Sequence, residues 1–201
     1  MGYEFERTEP EKIPDTVKDG DIIKVYYVIK NYRIKYDLNG GVLEEGKINP
    51  ETYTIKDSFT LNNPIKTGHT FTGWTGIDGE ENELEVKIEA GTTGDKSYFA
   101  NYERDFNYKV NTDGTITITG YNSNLKNVVI PTEYDGYKVS TIGEDAFFGI
   151  EIEKVVISEG IKKIEARAFK GCTNLVEIKL PEELTTIGSY AFATCINLVE
   201  I

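Results

Sequence analysis

The sequence is short of the residues that carry most enzyme chemistry. Its 201 residues include two cysteines, one histidine, one tryptophan and one methionine. Two cysteines do not make a disulfide scaffold. His69 has no second histidine or cysteine near it in the chain, so neither a zinc site nor a Cys–His couple is spelled out. Positive charge is also scarce: 22 basic against 34 acidic residues leave a net charge of −12, with a pI near 4.7. That balance repels phosphate backbones and anionic lipid heads, which argues against nucleic acid or a membrane surface as partner. No stretch approaches the roughly 20 apolar residues of a membrane-spanning helix, so no membrane insertion is expected, and the N-terminus lacks the basic-then-apolar pattern of a secretion signal. No glycine-rich phosphate motif follows a strand pattern, and GxSxG is absent. No cofactor, metal or catalytic residue is therefore assigned.

What is present is apolar and aromatic content, 39% and 11%, sufficient to bury real cores. The chain divides into three stretches. Residues 1–30 hold two extended pieces, Tyr3 to Phe5 and Ile22 to Ile29, joined through Pro10 and Pro14 and a Lys18–Asp21 turn. Such a hairpin is marginal by itself, so it reads as the C-terminal part of a domain that begins earlier. Residues 31–103 open with the alternation Tyr32, Ile34, Tyr36, Leu38 and an Asn39-Gly40-Gly41 reversal, and close with the strand pattern SYFANYE. The threonine- and aromatic-rich stretch between them, broken by Asn63-Pro64 and Gly68, favours short strands and turns. Trp74 reads as the core aromatic of this unit.

Residues 104–201 repeat themselves. AFKGCTNLVEI at 168–178 returns as AFATCINLVEI at 191–201, an offset of 23, and a looser copy precedes them with four extra residues around Tyr134–Tyr137. A period of this length marks a solenoid in which each coil buries its apolar side only against its neighbours. Leu125, Val128 and Ile130 align with Ile152, Val155 and Ile157 and with Leu175, Ile178 and Leu180. Ile142, Ala146 and Phe147 align with Ile164, Ala168 and Phe169 and with Ile187, Ala191 and Phe192. FNYKVNTDGTITITGY, with a reversal at Asn111–Gly114, reads as a hairpin that caps the first coil. The final LVEI supplies only the first strand of another coil, so a C-terminal truncation with further coils beyond it is expected.

Three resemblances follow from these motifs. LVEIKLPEELTTIGSYAFATC at 175–195 is similar to the BspA-type leucine-rich repeat. YDLNGG at 36–41, TYTIKDSFTLNNPIKTGHTFTGWTG at 52–76 and the closing GDKSYFANY resemble the Listeria-Bacteroides repeat, also called the internalin B-repeat, with His69 standing where that family usually has tyrosine. IPDTVKDGDIIKVYY at 13–27 resembles the closing half of a mucin-binding-protein-like repeat. The expected fold is therefore mainly β: small β-grasp-like domains followed by a leucine-rich-repeat solenoid of short strands and short helical turns. The resemblances imply a non-enzymatic extracellular segment of a bacterial cell-surface or secreted protein, in which spacer repeats present a solenoid to a protein or glycan of a host or neighbouring cell; the alternatives are a non-catalytic accessory arm of a large secreted enzyme and a passive stalk.

The place for such contact is the outward side of the solenoid strands, where Asn127, Lys154, Glu177 and Glu200 form one column beside Val129, Val156 and Lys179. Cys172 and Cys195 share one inward column, Ile150 being their counterpart in the first coil, so packing accounts for both; their spacing also permits a bridge between coils in an oxidising setting. Asp78-Gly79-Glu80-Glu81 lacks the alternating ligands and central glycine of a calcium loop and reads as a solvated turn.

Overall fold

The structure is a computed structural model that describes residues 2–9, 11, 16, 18–76 and 81–201. Pro10, Pro14, the first residues of the mucin-binding-like motif, and Asp78, Gly79 and Glu80 of the acidic turn lie outside the described residues. The chain forms two compact units. One comprises Met1–Pro64 and Phe71–Asn101, the other Ile65–Thr70 and Tyr102–Ile201.

In the first unit β1 (Tyr3–Glu9) and β2 (Lys24–Ile29) pair antiparallel as a two-stranded ribbon, with a bulge between Phe5 and Arg7. A four-stranded sheet has the order β4 (Thr52–Tyr53), β3 (Tyr32–Asp37), β8 (Lys96–Arg104), β6 (His69–Gly76), and β5 (Phe59–Thr60) pairs with β7 (Lys87–Ile88). The alternation read in β3 is realised, Tyr32 and Ile34 being buried and Arg33 and Lys35 exposed. The reversal after it uses positive φ at Asn39 (48°) and Gly40 (77°), a conformation that Asn and Gly tolerate best. Trp74 is 1% exposed, packs on Tyr36, Phe71 and Tyr98, and donates its indole N–H to Asn63 Oδ1 at 3.0 Å, so its polar edge is satisfied inside the unit.

The second unit opens with the expected hairpin, β9 (Phe106–Val110) and β10 (Ile116–Tyr121), closed by Gly114 N–H donating to the Asn111 carbonyl. Strand β10 pairs parallel with β13 (Tyr137–Ile142), which continues through β15 (Lys163–Ile164) to β17 (Thr186–Ile187). A second parallel sheet runs β11 (Asn127–Ile130), β14 (Lys154–Ile157), β16 (Glu177–Lys179). The four extra residues of the first coil make a separate two-residue hairpin, β12 (Glu133–Tyr134) against β13, turning at Asp135 (φ 50°) and Gly136 (φ 82°) as a type I′ turn requires.

The aligned columns are the core. Val128, Val155 and Ile178 pair in register, as do Ile130 and Ile157. The rings of Phe147, Phe169 and Phe192 stack with centroids 4.8 and 5.4 Å apart and planes within 15° and 9° of parallel. Leu125 departs from its column: it is 47% exposed, while Ile152 and Leu175 are fully buried. Aromatic groups of the cap cover the first coil instead, with Tyr121 stacked on Phe147 and its hydroxyl donating to the Leu125 carbonyl at 2.9 Å.

The short helical turns expected between strands are not helices; the described residues contain strands and turns only. The backbone shows why. In the first coil alternate amides close turns within the coil: Ala146 N–H to Gly143 O, Phe148 N–H to Asp145 O and Ile150 N–H to Phe147 O. The amides between them, of Asp145, Phe147 and Gly149, donate to carbonyls of Ala166, Ala168 and Lys170 in the next coil. A helix would claim every amide for itself. Left-handed residues enforce the alternation, at Asp145, Arg167 and Tyr190 before the Ala-Phe pair and at Gly149, Gly171 and Thr194 after it.

Candidate interaction face

The seven outward residues read from the sequence do come together. Asn127, Lys154 and Glu177 are direct partners across β11, β14 and β16, Glu200 bridges to Glu177 beyond them, and Val129, Val156 and Lys179 form the parallel row two residues along. Strand alternation turns both rows outward, because Val128, Ile130, Val155, Ile157 and Ile178 between them are buried. Val129 and Val156 are 48% and 38% exposed, an adjacent aliphatic pair.

The lysines on this face are paired. Lys154 Nζ lies 2.9 Å from Glu177 Oε2, Lys179 Nζ 3.8 Å from Glu177 Oε1, and Lys126 Nζ 3.0 Å from Glu153 Oε1. The hydrogen bond from Lys154 holds the Glu177 carboxyl below its ordinary range and, reciprocally, raises the Lys154 ammonium. Both side chains are solvated, so the pair fixes rotamers more than it adds stability. The result is a flat strip, three strands and roughly 10 Å between outer strands, with an apolar pair at one margin.

Cys172 is buried and Cys195 partly so, and both are free thiols. Each donates to the carbonyl of the phenylalanine one coil back, Cys172 Sγ to Phe147 O at 3.0 Å and Cys195 Sγ to Phe169 O at 3.1 Å. Burial pushes the Cys172 thiol up to about 12 and raises that of Cys195, so neither is a ready thiolate. His69 belongs to the second unit. Its ring lies against Tyr134 at 5.1 Å, with Nδ1 3.1 Å from the Thr67 carbonyl and Nε2 3.5 Å from Asp135 Oδ1, and Arg104 Nε holds the other carboxylate oxygen at 2.9 Å. Among the described residues no group of three His, Cys, Asp or Glu side chains converges as a metal site. No helix among them is long and apolar enough to cross a membrane. An open cleft on the first unit is lined by Arg33, Ile34, Lys35, Tyr36, Glu51 and Thr52.

One feature of the solenoid escaped the strand-alternation reading. Val139-Ser140-Thr141-Ile142, Ile161-Lys162-Lys163-Ile164 and Leu184-Thr185-Thr186-Ile187 each place two polar residues between two apolar ones. That spacing of three, repeated at one place in every coil, is the signal of a bulge and of a second outward face.

Two family models match parts of the chain. Residues 117–201 match the BspA-type leucine-rich repeat region, and residues 32–101 match the Listeria-Bacteroides repeat domain. No curated protein matches the chain. Among solved structures, a leucine-rich repeat protein of T. pallidum is 33% identical over 48% of this chain and 47% of its own, with a TM-score of 0.47. A leucine-rich cell surface protein of Faecalibacterium prausnitzii is 29% identical over 48% of this chain and 28% of its own, with a TM-score of 0.44. A leucine-rich repeat protein of Bacteroides capillosus is 33% identical over 47% of this chain and 74% of its own, with a TM-score of 0.43. The chain thus spans about half the length of the first of these and less than a third of the second. Residues 117–201 are thus BspA-type leucine-rich repeats, and they follow a Listeria-Bacteroides repeat domain over residues 32–101.

Proposed function

We propose that this chain is a non-enzymatic interaction segment of a bacterial cell-surface or secreted protein. Residues 1–30 and 31–103 act as spacer domains, and the solenoid of residues 104–201 engages a macromolecule of a host or neighbouring cell. The observation that carries this reading is the in-register outward pair Val129 and Val156, exposed beside the Asn127–Lys154–Glu177 row and Lys179. Flat sheet surfaces of this kind suit broad, shallow contact with a partner rather than enclosure of a small substrate.

The test is adhesion. Beads coated with the full chain are expected to adhere to intact epithelial or bacterial cells, and beads carrying Val129→Glu with Val156→Glu to adhere several-fold less. Both positions are exposed, so the substitutions leave the core intact. Equal adhesion of wild type and variant would remove this face from the mechanism. Absence of adhesion by the wild type would make the segment a passive stalk.

A further inference from the structure

The second sheet of the solenoid presents a surface of different chemistry. In the segments Val139–Ile142 and Ile161–Ile164 the outer two residues are buried and the middle two point out. The extra outward residue is accommodated by a shift in register, since Ile116 pairs with Val139 while Thr117 pairs with Thr141. Lys109, Thr117, Thr141, Lys163 and Thr186 are direct partners in turn across five strands; Thr117 is buried, its hydroxyl donating to Asn111 Oδ1, and the other four reach the surface. Ser140, Lys162 and Thr185 form the row beside it, tied by Lys162 N–H to Ser140 O and Thr185 N–H to Lys162 O, both 2.9 Å. Lys138 is on the same side, opposite in pleat to buried Val139.

The charges here differ from those on the β11–β14–β16 face, where Lys126, Lys154 and Lys179 all have carboxylate partners. Lys163 is paired with Glu165 at 3.0 Å. Lys109, Lys138 and Lys162 are exposed and form no ion pair among the described residues, although Glu133 is the strand partner of Lys138. Three ammonium groups outside any close ion pair therefore share one sheet of a chain whose net charge is −12, with Lys109 near enough to Glu165 to help lower its carboxyl. Around them stand hydroxyls, Ser140, Thr141, Thr185 and Thr186, and none of these outward positions is aromatic or aliphatic. Protein interfaces draw most of their binding energy from such apolar anchors, so this face is poorly built for a protein.

We propose that the β9–β10–β13–β15–β17 face binds an acidic polysaccharide. Its anionic groups accept charge-assisted hydrogen bonds from Lys109, Lys138 and Lys162, and its hydroxyls exchange hydrogen bonds with the serine and threonine side chains. Five strands at about 4.8 Å spacing give a track roughly 19 Å wide for an extended chain. This site is separate from the Val129–Val156 face and stands whether or not that face engages a partner.

The experiment measures binding of the full chain to heparin by biolayer interferometry at about 20 mM and about 150 mM salt, conditions that bracket strong and physiological screening. Wild type is expected to bind heparin but not dextran, more weakly at the higher salt. Lys109→Gln/Lys138→Gln/Lys162→Gln is expected to weaken binding by about tenfold or more, the loss of at least one charge-assisted hydrogen bond. Lys162→Gln alone is expected to give part of that loss. Lys126→Gln/Lys154→Gln/Lys179→Gln, which removes the same formal charge from the other face, is expected to bind as wild type. The proposal is overturned by absence of heparin binding at low salt, by equal weakening in the two triple variants, or by polyglutamate binding as tightly as heparin.

Discussion

Phe169→Ala tests the stacked-coil core at its centre. The ring is fully buried, with Phe147 on one side at 4.8 Å and Phe192 on the other at 5.4 Å, both nearly parallel. Truncation removes about 2 kcal/mol of transfer free energy and opens a hole of roughly 100 Å³, which at about 24 cal/mol per Å³ costs a further 2.4 kcal/mol. The neighbours cannot close on it, because Phe147 N–H is bonded to Ala168 O and Phe169 N–H to Ala191 O, both at 2.8 Å, fixing the distance between coils. The expected loss is about 3–5 kcal/mol. Phe192→Ala, at a partly buried ring stacked on one side only, should cost clearly less. Trp74 lies in the first unit and its fluorescence does not report on the solenoid, so the readout is urea denaturation followed by hydrogen exchange of peptides from residues 125–201. A loss for Phe169→Ala below about 1.5 kcal/mol, or one equal to that of Phe192→Ala, would mean the coils do not stack in the register described.

Thr194 holds a left-handed φ of 60° where the two preceding coils have Gly149 and Gly171, so Thr194→Gly should raise stability by about 0.5–1 kcal/mol in urea melts, strain relief exceeding the added freedom of the unfolded chain. The forked hydrogen bonds from Arg167 to Asp145, 3.0 and 2.8 Å, hold that carboxyl below its ordinary range. A depressed folded-state value gives a contribution present above the unfolded value of about 3.9 and lost as pH falls through the folded one; Asp145→Asn, which tolerates the left-handed backbone, should therefore flatten the wild-type decline in urea midpoint below about pH 4. Cys172, buried and raised to about 12, should resist alkylation at pH 8 in the native protein and react once urea is added, with Cys195 reacting earlier; rapid native labelling of Cys172 would contradict the packing, as read by mass spectrometry.

Much of the fold was legible because the physics that builds it is periodic. Phe147, Phe169 and Phe192 recur at spacings of 22 and 23, and stacking buries the first two fully and one face of the third. The cap hairpin was equally plain, since Asn111 to Gly114 interrupts two alternating strands. Leu125 was misassigned because its burial depends on Tyr121 and Phe106, residues outside the repeat that reach the first coil from the cap. The expected helical turns failed for a subtler reason. Ala-Phe pairs suit helix as well as turn, and only the backbone shows half the amides bonding to the next coil and left-handed residues at Asp145 and Arg167 blocking a regular helix.

The two outward faces follow from one difference in spacing. On β11, β14 and β16 a period of two sends every second residue out, so Asn127 and Val129 could be read directly as surface. In the segments Val139–Ile142, Ile161–Ile164 and Leu184–Ile187 the apolar residues are three apart, and a period of two would bury one of Lys162 and Lys163. An unpaired lysine in the core costs far more than a bulge, so the backbone yields and both lysines reach solvent. The same local irregularity that hid this face from a strand-by-strand reading doubles its outward side chains per coil, and so brings Lys162 to the surface beside the Glu165-paired Lys163.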